Sequence, residues 1–158
     1  MRKRAFWIVL LIVGLVSQPA AATATKQETI KIFTSLEEAA GPPQRPLLLV
    51  FFSLECHVCW GELFEMRYFL EKNGIPVDLI GISPEPEKEL RPFLEKYGFF
   101  HPVVCDRQKV LFRRFEVRQE PFRVILDGET VIFLDDTGQD FFSRRDKVKL
   151  CLLEIASR

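Results

Sequence analysis

Two cysteines with two residues between them, Cys56-His57-Val58-Cys59, are the side chains of this 158-residue sequence best suited to chemistry. They follow Leu47-Leu48-Leu49-Val50-Phe51-Phe52, an apolar run bounded by Pro46 and Ser53, which reads as a strand buried on both faces of a sheet. From Cys56 to Lys72 there is no proline, and Cys59, Leu63, Met66 and Leu70 recur at helical spacing before Asn73-Gly74 stops the helix. Residues three apart on a helix lie about 5–6 Å apart, inside the ~4.4–6.8 Å window that a disulfide requires. Such a pair can close and open with little backbone movement. Cys56 falls where the first helical turn leaves N–H groups unpaired and the helix dipole favours a thiolate, which makes it a nucleophile and a good leaving group. Cys59, one turn further in, is placed to resolve a mixed disulfide, and a protonated His57 would add positive charge beside the thiolate.

Two blander uses of the pair weigh less. As a structural staple, so short a loop is worth only about 2 kcal/mol on chain entropy, against about 3 kcal/mol for a fifteen-residue loop. A structural metal needs about four ligands; the sequence has two His and no second Cys pair at ligand spacing, so no metal is expected.

The elements around the pair form one domain. Val77–Ile82 is a second apolar strand. Ser83-Pro84 looks like an N-cap followed by proline at the first helical position, with Leu90, Phe93, Leu94 and Tyr97 at helical spacing and Pro92 kinking the helix or delaying its start. Pro102–Cys105 reads as a short strand and Val110–Phe115 as a short helix. Phe122–Leu126 and Thr130–Leu134 flank the hairpin signal Asp127-Gly128. Val148, Cys151, Leu152 and Ile155 mark a closing amphipathic helix. The expected class is α/β, a central mixed sheet flanked by helices in the order β-α-β-α-β-α-β-β-α, parallel at first and antiparallel at the hairpin. Asp106, Asp127 and Asp135-Asp136 read as turn residues, Arg113-Arg114 and Arg144-Arg145 as solvated pairs, and His101 as a loop residue. Cys151 reads as a buried, inert thiol, with a Cys105–Cys151 bridge as the less favoured alternative.

Arg2, Lys3 and Arg4 precede an uncharged stretch, Ala5 to Val16, which Ser17-Gln18-Pro19 breaks before the small residues Ala20 to Ala24. That order is expected of a secretory signal peptide over residues 1–24, cleaved after Ala22 or Ala24. The apolar run is short of the ~20 residues of a membrane span, so retention as an inner-membrane anchor is the alternative. Residues 25–46 read as a polar lead-in with at most one short strand around Ile30–Phe33, and residues 47–158 as the folded domain. The whole sequence carries 22 basic and 22 acidic side chains, and removal of residues 1–24 leaves 19 and 22. That balance argues against nucleic-acid binding. A basic start places the folded part outside the inner membrane, where thiols can be oxidised.

The run Leu48 to Cys59 resembles the active-site strand and helix start of thioredoxin-fold proteins. The run Phe115-Glu116-Val117-Arg118-Gln119-Glu120-Pro121-Phe122-Arg123-Val124-Ile125-Leu126-Asp127-Gly128 is similar to their second hallmark, a cis-proline loop before a hairpin. With an export signal, the whole most resembles the TlpA/ResA-like exported thiol-disulfide oxidoreductases. The resemblance implies that Cys56 attacks and Cys59 resolves, that Pro121 is the cis-proline packed against them, and that Glu120 offers backbone groups to an extended peptide. It implies no cofactor, disulfide-containing exported protein clients, and a membrane thiol protein that supplies reductant. Apocytochrome c is one client by analogy. His57, Val58 and Glu55 complete the neighbourhood.

Three positions depart from the pattern: Glu55 stands where the family has Trp, Val50 where thioredoxins bury an acid, and Phe64 where a proline kinks the helix. Glu55 is expected to face water rather than stand in as a local base, and a carboxylate there would oppose a thiolate at Cys56 and partly cancel His57. Ser53, three residues before Cys56, gives an incomplete likeness to a peroxiredoxin-type peroxidase, since Leu49 stands where that pattern has proline. A thioredoxin-fold binding module with a permanent disulfide is the non-enzymatic alternative.

Overall fold

The fold is organised around Leu48, Leu49, Val50 and Phe51, none of which has any exposed surface. A computed structural model describes residues 29–42 and 45–158. In it the chain runs β1 (Ile32–Phe33), α1 (Leu36–Ala40), β2 (Leu47–Phe51), α2 (His57–Asn73), β3 (Asp78–Ser83), α3 (Glu87–Tyr97), β4 (Val103–Cys105), α4 (Val110–Arg114), β5 (Phe122–Asp127), β6 (Thr130–Leu134) and α5 (Phe141–Ala156). From β2 onward this is the expected element order, in a six-stranded sheet ordered β1-β4-β3-β2-β5-β6. β2 pairs with β3 in parallel and with β5 antiparallel, which puts it at the centre.

The strand period of two divides the core between the two faces of the sheet. Leu48, Val50 and Phe52 point to a cluster shared with Cys59, Leu63 and Met66 of α2, Leu90 and Leu94 of α3, and Val148 and Leu152 of α5. Leu49 and Phe51 point to the other cluster, with Leu36 of α1 and Leu111, Phe112 and Phe115 near α4. The parallel β2-α2-β3-α3-β4 crossovers therefore share one face, and α1 and α4 cover the other.

Two boundaries differ from expectation. Residues of the presumed lead-in belong to the domain: Ile32 and Phe33 of β1 pair with Val103 and Val104, and Leu36 is buried. Ser35 caps α1, its Oγ accepting from the Glu38 N–H, while the Glu38 carboxylate accepts from the Thr34 N–H. This reciprocal cap stabilises a helix too short to show a period in the sequence. Ser83 is not an N-cap but the last residue of β3; α3 begins at Glu87 after Pro86. Pro84 and Pro86 have no N–H to give, which sets the start at Glu87; Pro92 does not delay it further, since α3 begins before Pro92 and runs through it. Residues 1–24, with the expected signal peptide, lie outside the described residues.

Gly81 in β3 faces the Phe52 ring, and a Cβ there would sit 2.8 Å from that ring's Cε1. Phe52 is fully buried and cannot yield without repacking. Gly81→Ala is expected to destabilise the domain by about 1–3 kcal/mol, read as a lower urea midpoint with an unchanged slope.

Candidate redox site

β2 delivers the chain to the site in a fixed position. The Phe52 N–H donates to the Ile82 carbonyl (2.9 Å), extending the β2–β3 ladder one residue past β2. Glu85, just after β3, then ties down the connecting loop: one carboxylate oxygen accepts from the Leu54 N–H (3.1 Å) and the other from the Ser83 hydroxyl. The Cys56 N–H donates to the Ser53 carbonyl (3.2 Å), closing the turn that starts α2. Glu85 was not among the sequence-predicted site residues; its neighbours Pro84 and Pro86 mark it only as part of a loop.

Cys56 is the N-cap of α2 in an extended conformation, and its side chain makes no capping bond. Its sulfur is joined to that of Cys59, with Cα atoms 5.4 Å apart, inside the window read from the spacing. The Cys59 N–H donates to the Cys56 carbonyl (3.1 Å). Cys56 is half-buried and Cys59 has no exposed surface, while Glu55, His57 and Val58 are exposed, Val58 by 59%. One sulfur is thus reachable and the other is shielded. Val50, at the position of the missing acid, is wholly buried against the Cys59 side of the sheet. α2 runs unbroken through Phe64. Trp60 stacks on Phe93 of α3 at 3.6 Å between ring centroids and meets Phe52 edge-on, which clamps the first turn of α2.

The Glu120–Pro121 peptide bond is cis, and Pro121 is buried. A Glu120 carboxylate oxygen and the two sulfurs all lie within 4.8 Å of one another. Glu120 lies late in the connection between α4 and β5, and its backbone makes no hydrogen bond with another described residue. Among the described residues no other group of three His, Cys, Asp or Glu donors is so close. In this structure the sulfurs are bonded to each other, and neither offers a thiolate.

Beneath the site lies a charge cluster where the sequence pattern predicts turns and solvated surface. Arg123 has no exposed surface; its guanidinium donates to Glu62 (2.7 Å) and to Asp135 (2.9 Å). Arg144 is buried too, donating to Asp135 (3.2 Å) and to the Pro121 carbonyl (3.4 Å), and Arg145 donates to the second Glu62 oxygen (3.0 Å). Arg144-Arg145 is therefore not a solvated pair, and Asp135 is not a turn residue. Burial pushes the Asp135 carboxyl up against the pull of Arg123 and Arg144. One signal was available: Glu62 is three residues after Cys59, on the stripe Cys59, Leu63 and Met66, and a carboxylate there requires a buried cation. Asp106 is buried as well, accepting from the N–H groups of Val110, Leu111 and Phe112 at the start of α4.

Cys105 and Cys151 are not bridged. Burial pushes both thiols up, and the Cys105 thiol donates to the Glu85 carbonyl (2.9 Å). Neither shares the helix-mouth position of Cys56. His101 is half-buried beside Phe99 and 3.9 Å from the Glu71 carboxylate.

A sheet with antiparallel β5 and β6, a closed Cys-x-x-Cys pair at the mouth of α2 and an adjacent cis-proline define a thioredoxin-like fold that carries a Cys-x-x-Cys disulfide. The AhpC/TSA family pattern matches residues 16–139, and the chain belongs to that family. It is similar to a thioredoxin-like protein from Porphyromonas gingivalis (21% identity, TM-score 0.58, covering 72% of this chain and 76% of that one). It is similar also to a secreted Mycobacterium tuberculosis disulfide oxidoreductase homologous to E. coli DsbE (21% identity, TM-score 0.50, 70% and 81%). StoA from Bacillus subtilis is a further likeness (17% identity, TM-score 0.50, 70% and 84%). At these identities the likenesses establish the fold. A comparison with curated proteins finds no match.

Replacing Arg123 by Ala leaves Glu62 and Asp135 buried with their main partner gone. The expected loss is about 3–5 kcal/mol, measured by chemical denaturation of the oxidised protein.

Proposed function

We propose that this chain is an exported disulfide reductase acting on proteins outside the inner membrane. The observation that carries the reading is the asymmetry of the pair: an accessible Cys56 at a helix N-terminus, bonded to a shielded Cys59, beside a Glu120 whose backbone groups are unused. In the reaction, the Cys56 thiolate attacks a client disulfide and expels one client sulfur as thiolate. The Cys59 thiolate then attacks Cys56, closing the enzyme disulfide and expelling the second client sulfur. Two electrons and two protons pass to the client. A dithiol protein at the membrane returns the enzyme to its reduced form by the same exchange in reverse. The client lies as an added strand along Glu120, pairing main chain to main chain, with the exposed Val58 giving apolar contact.

Export rests on the basic start and short apolar run of residues 1–24. No helix among the described residues is long and apolar enough to cross a membrane. In bacteria expressing the full chain with a C-terminal tag, the tag is expected in the periplasmic fraction, on a protein shortened at Ala22 or Ala24. A full-length protein in the membrane fraction would instead make residues 1–24 an anchor.

The catalytic reading is tested with the purified protein, a dithiol reductant and a disulfide-bonded substrate. Cys56→Ser is expected to abolish turnover, and Cys59→Ser to stall as a covalent mixed disulfide through Cys56. Wild-type turnover by Cys56→Ser would refute the mechanism. Peroxide consumption exceeding disulfide reduction would instead favour a peroxidase.

A further inference from the structure

Glu120 brings a side chain as well as a backbone to the cysteine pair. Its carboxylate reaches within 4.8 Å of both sulfurs, and it is in no ion pair or hydrogen bond with another described residue. The neighbouring acids are committed elsewhere: Glu62 to Arg123 and Arg145, Asp135 to Arg123 and Arg144, Glu85 to Leu54 and Ser83. The half-buried Glu120 is the acid left facing the sulfurs at short range.

We propose that the Glu120 carboxylate makes the Cys56–Cys59 pair electron-donating, by opposing the thiolate of the reduced state while leaving the neutral disulfide untouched. This role depends on the dithiol exchange proposed above and gives that exchange its direction. In the reduced protein a Cys56 thiolate and the Glu120 carboxylate are two negative charges in one partly desolvated site, and a like charge at this range disfavours the second ionisation. When the pair hands its two electrons to a client disulfide, the client leaves as one thiol, with the Cys59 proton, and one thiolate that takes its proton from water, and the enzyme sulfurs become a neutral disulfide. The repulsion is thereby removed. The geometry acts on charge rather than on contact, so Glu120 is a tuning residue, not the nucleophile.

The other charged groups around the pair do not cancel it. Glu55 and His57 flank Cys56 but are exposed, where water and salt screen them. Lys109 and Arg118 line the same shallow cavity as Glu120 without pairing to it. On the β3–α3 connection, Glu85 adds a further negative charge behind Leu54. Arg144 of α5 reaches the Pro121 carbonyl, and its charge is met by Asp135. The helix dipole favours a thiolate at Cys56 with about half a unit charge, against a full charge on Glu120.

The test compares wild type, Glu120→Gln and Glu120→Asp as full-length protein. Two quantities are read: thiolate absorbance of the reduced protein against pH, and the reduced fraction in glutathione buffers from pH 6 to 9. Glu120→Gln is expected to move the thiolate titration to lower pH by about one unit or more. It should also shift the glutathione equilibrium towards the dithiol by up to about tenfold for each pH unit of that movement. This second effect is largest above both titrations and vanishes below them. Glu120→Asp keeps the charge and should stay near wild type, and Glu129→Gln, at the distant β5–β6 turn, should change neither reading. If Glu120→Gln leaves both readings within twofold of wild type, or moves them the other way, the proposal is overturned. Neither reading needs a client. A wild type that equilibrates with glutathione but reduces no protein disulfide would therefore overturn the proposed function alone.

Discussion

The reach of one sulfur for another, 5.4 Å between Cα atoms at the first turn of α2, is the constraint to which the rest of the structure answers. That distance is a property of helical geometry, but its place is not. It is set by β2, which has neighbours on both edges and side chains buried on both faces, and so has no freedom to shift register. Phe52 carries the ladder one residue further, Glu85 pins the loop, and Trp60 clamps the helix against α3. Chemistry occurs where this rigid frame ends and backbone N–H groups are left open.

The second half of the site arrives from the opposite side of the sheet order. β5 runs antiparallel beside β2, so the cis peptide preceding it stands at the same sheet end as the cysteines, with Phe122 opposite Phe51. Its position is held by charge rather than by apolar packing alone. Arg123 and Arg144 reach from β5 and α5 to Asp135 and Pro121, and Arg123 also reaches Glu62 on the cysteine helix. Buried ion pairs of this kind contribute little net stability compared with apolar groups of the same volume, but losing one partner is costly. Here they lock α2, β5 and α5 into one relative placement, which is what a two-part site requires.

Much of this was legible in the sequence because local rules and global fold agree. The apolar run before Cys56, the helical stripe after it, the Asp127-Gly128 turn and the Val-Arg-x-x-Pro segment each have one simple reading, and together they order the sheet. What escaped is what depends on partners far along the chain. Glu62 meets Arg123 and Arg145 across separations of 61 and 83 residues, and no local pattern distinguishes such arginines from surface ones. α1 escaped for another reason: five residues are too few to show a period, and only the Ser35–Glu38 cap defines it. The short strand expected around Ile30–Phe33 is present as β1, but its place beside β4 depends on residues about seventy positions away. Glu120 was read for its backbone; the nearness of its carboxylate to both sulfurs follows from the meeting of two distant segments.

The account is tested most directly by equilibrating the Cys56–Cys59 pair of the wild-type protein against dithiols of known potential and determining its own. A redox-active pair opens and closes reversibly, with a potential above about −300 mV, the region of catalytic rather than structural disulfides. A bond that stays shut under mild reductants, with a potential below that value, would make the pair a staple and contradict the account.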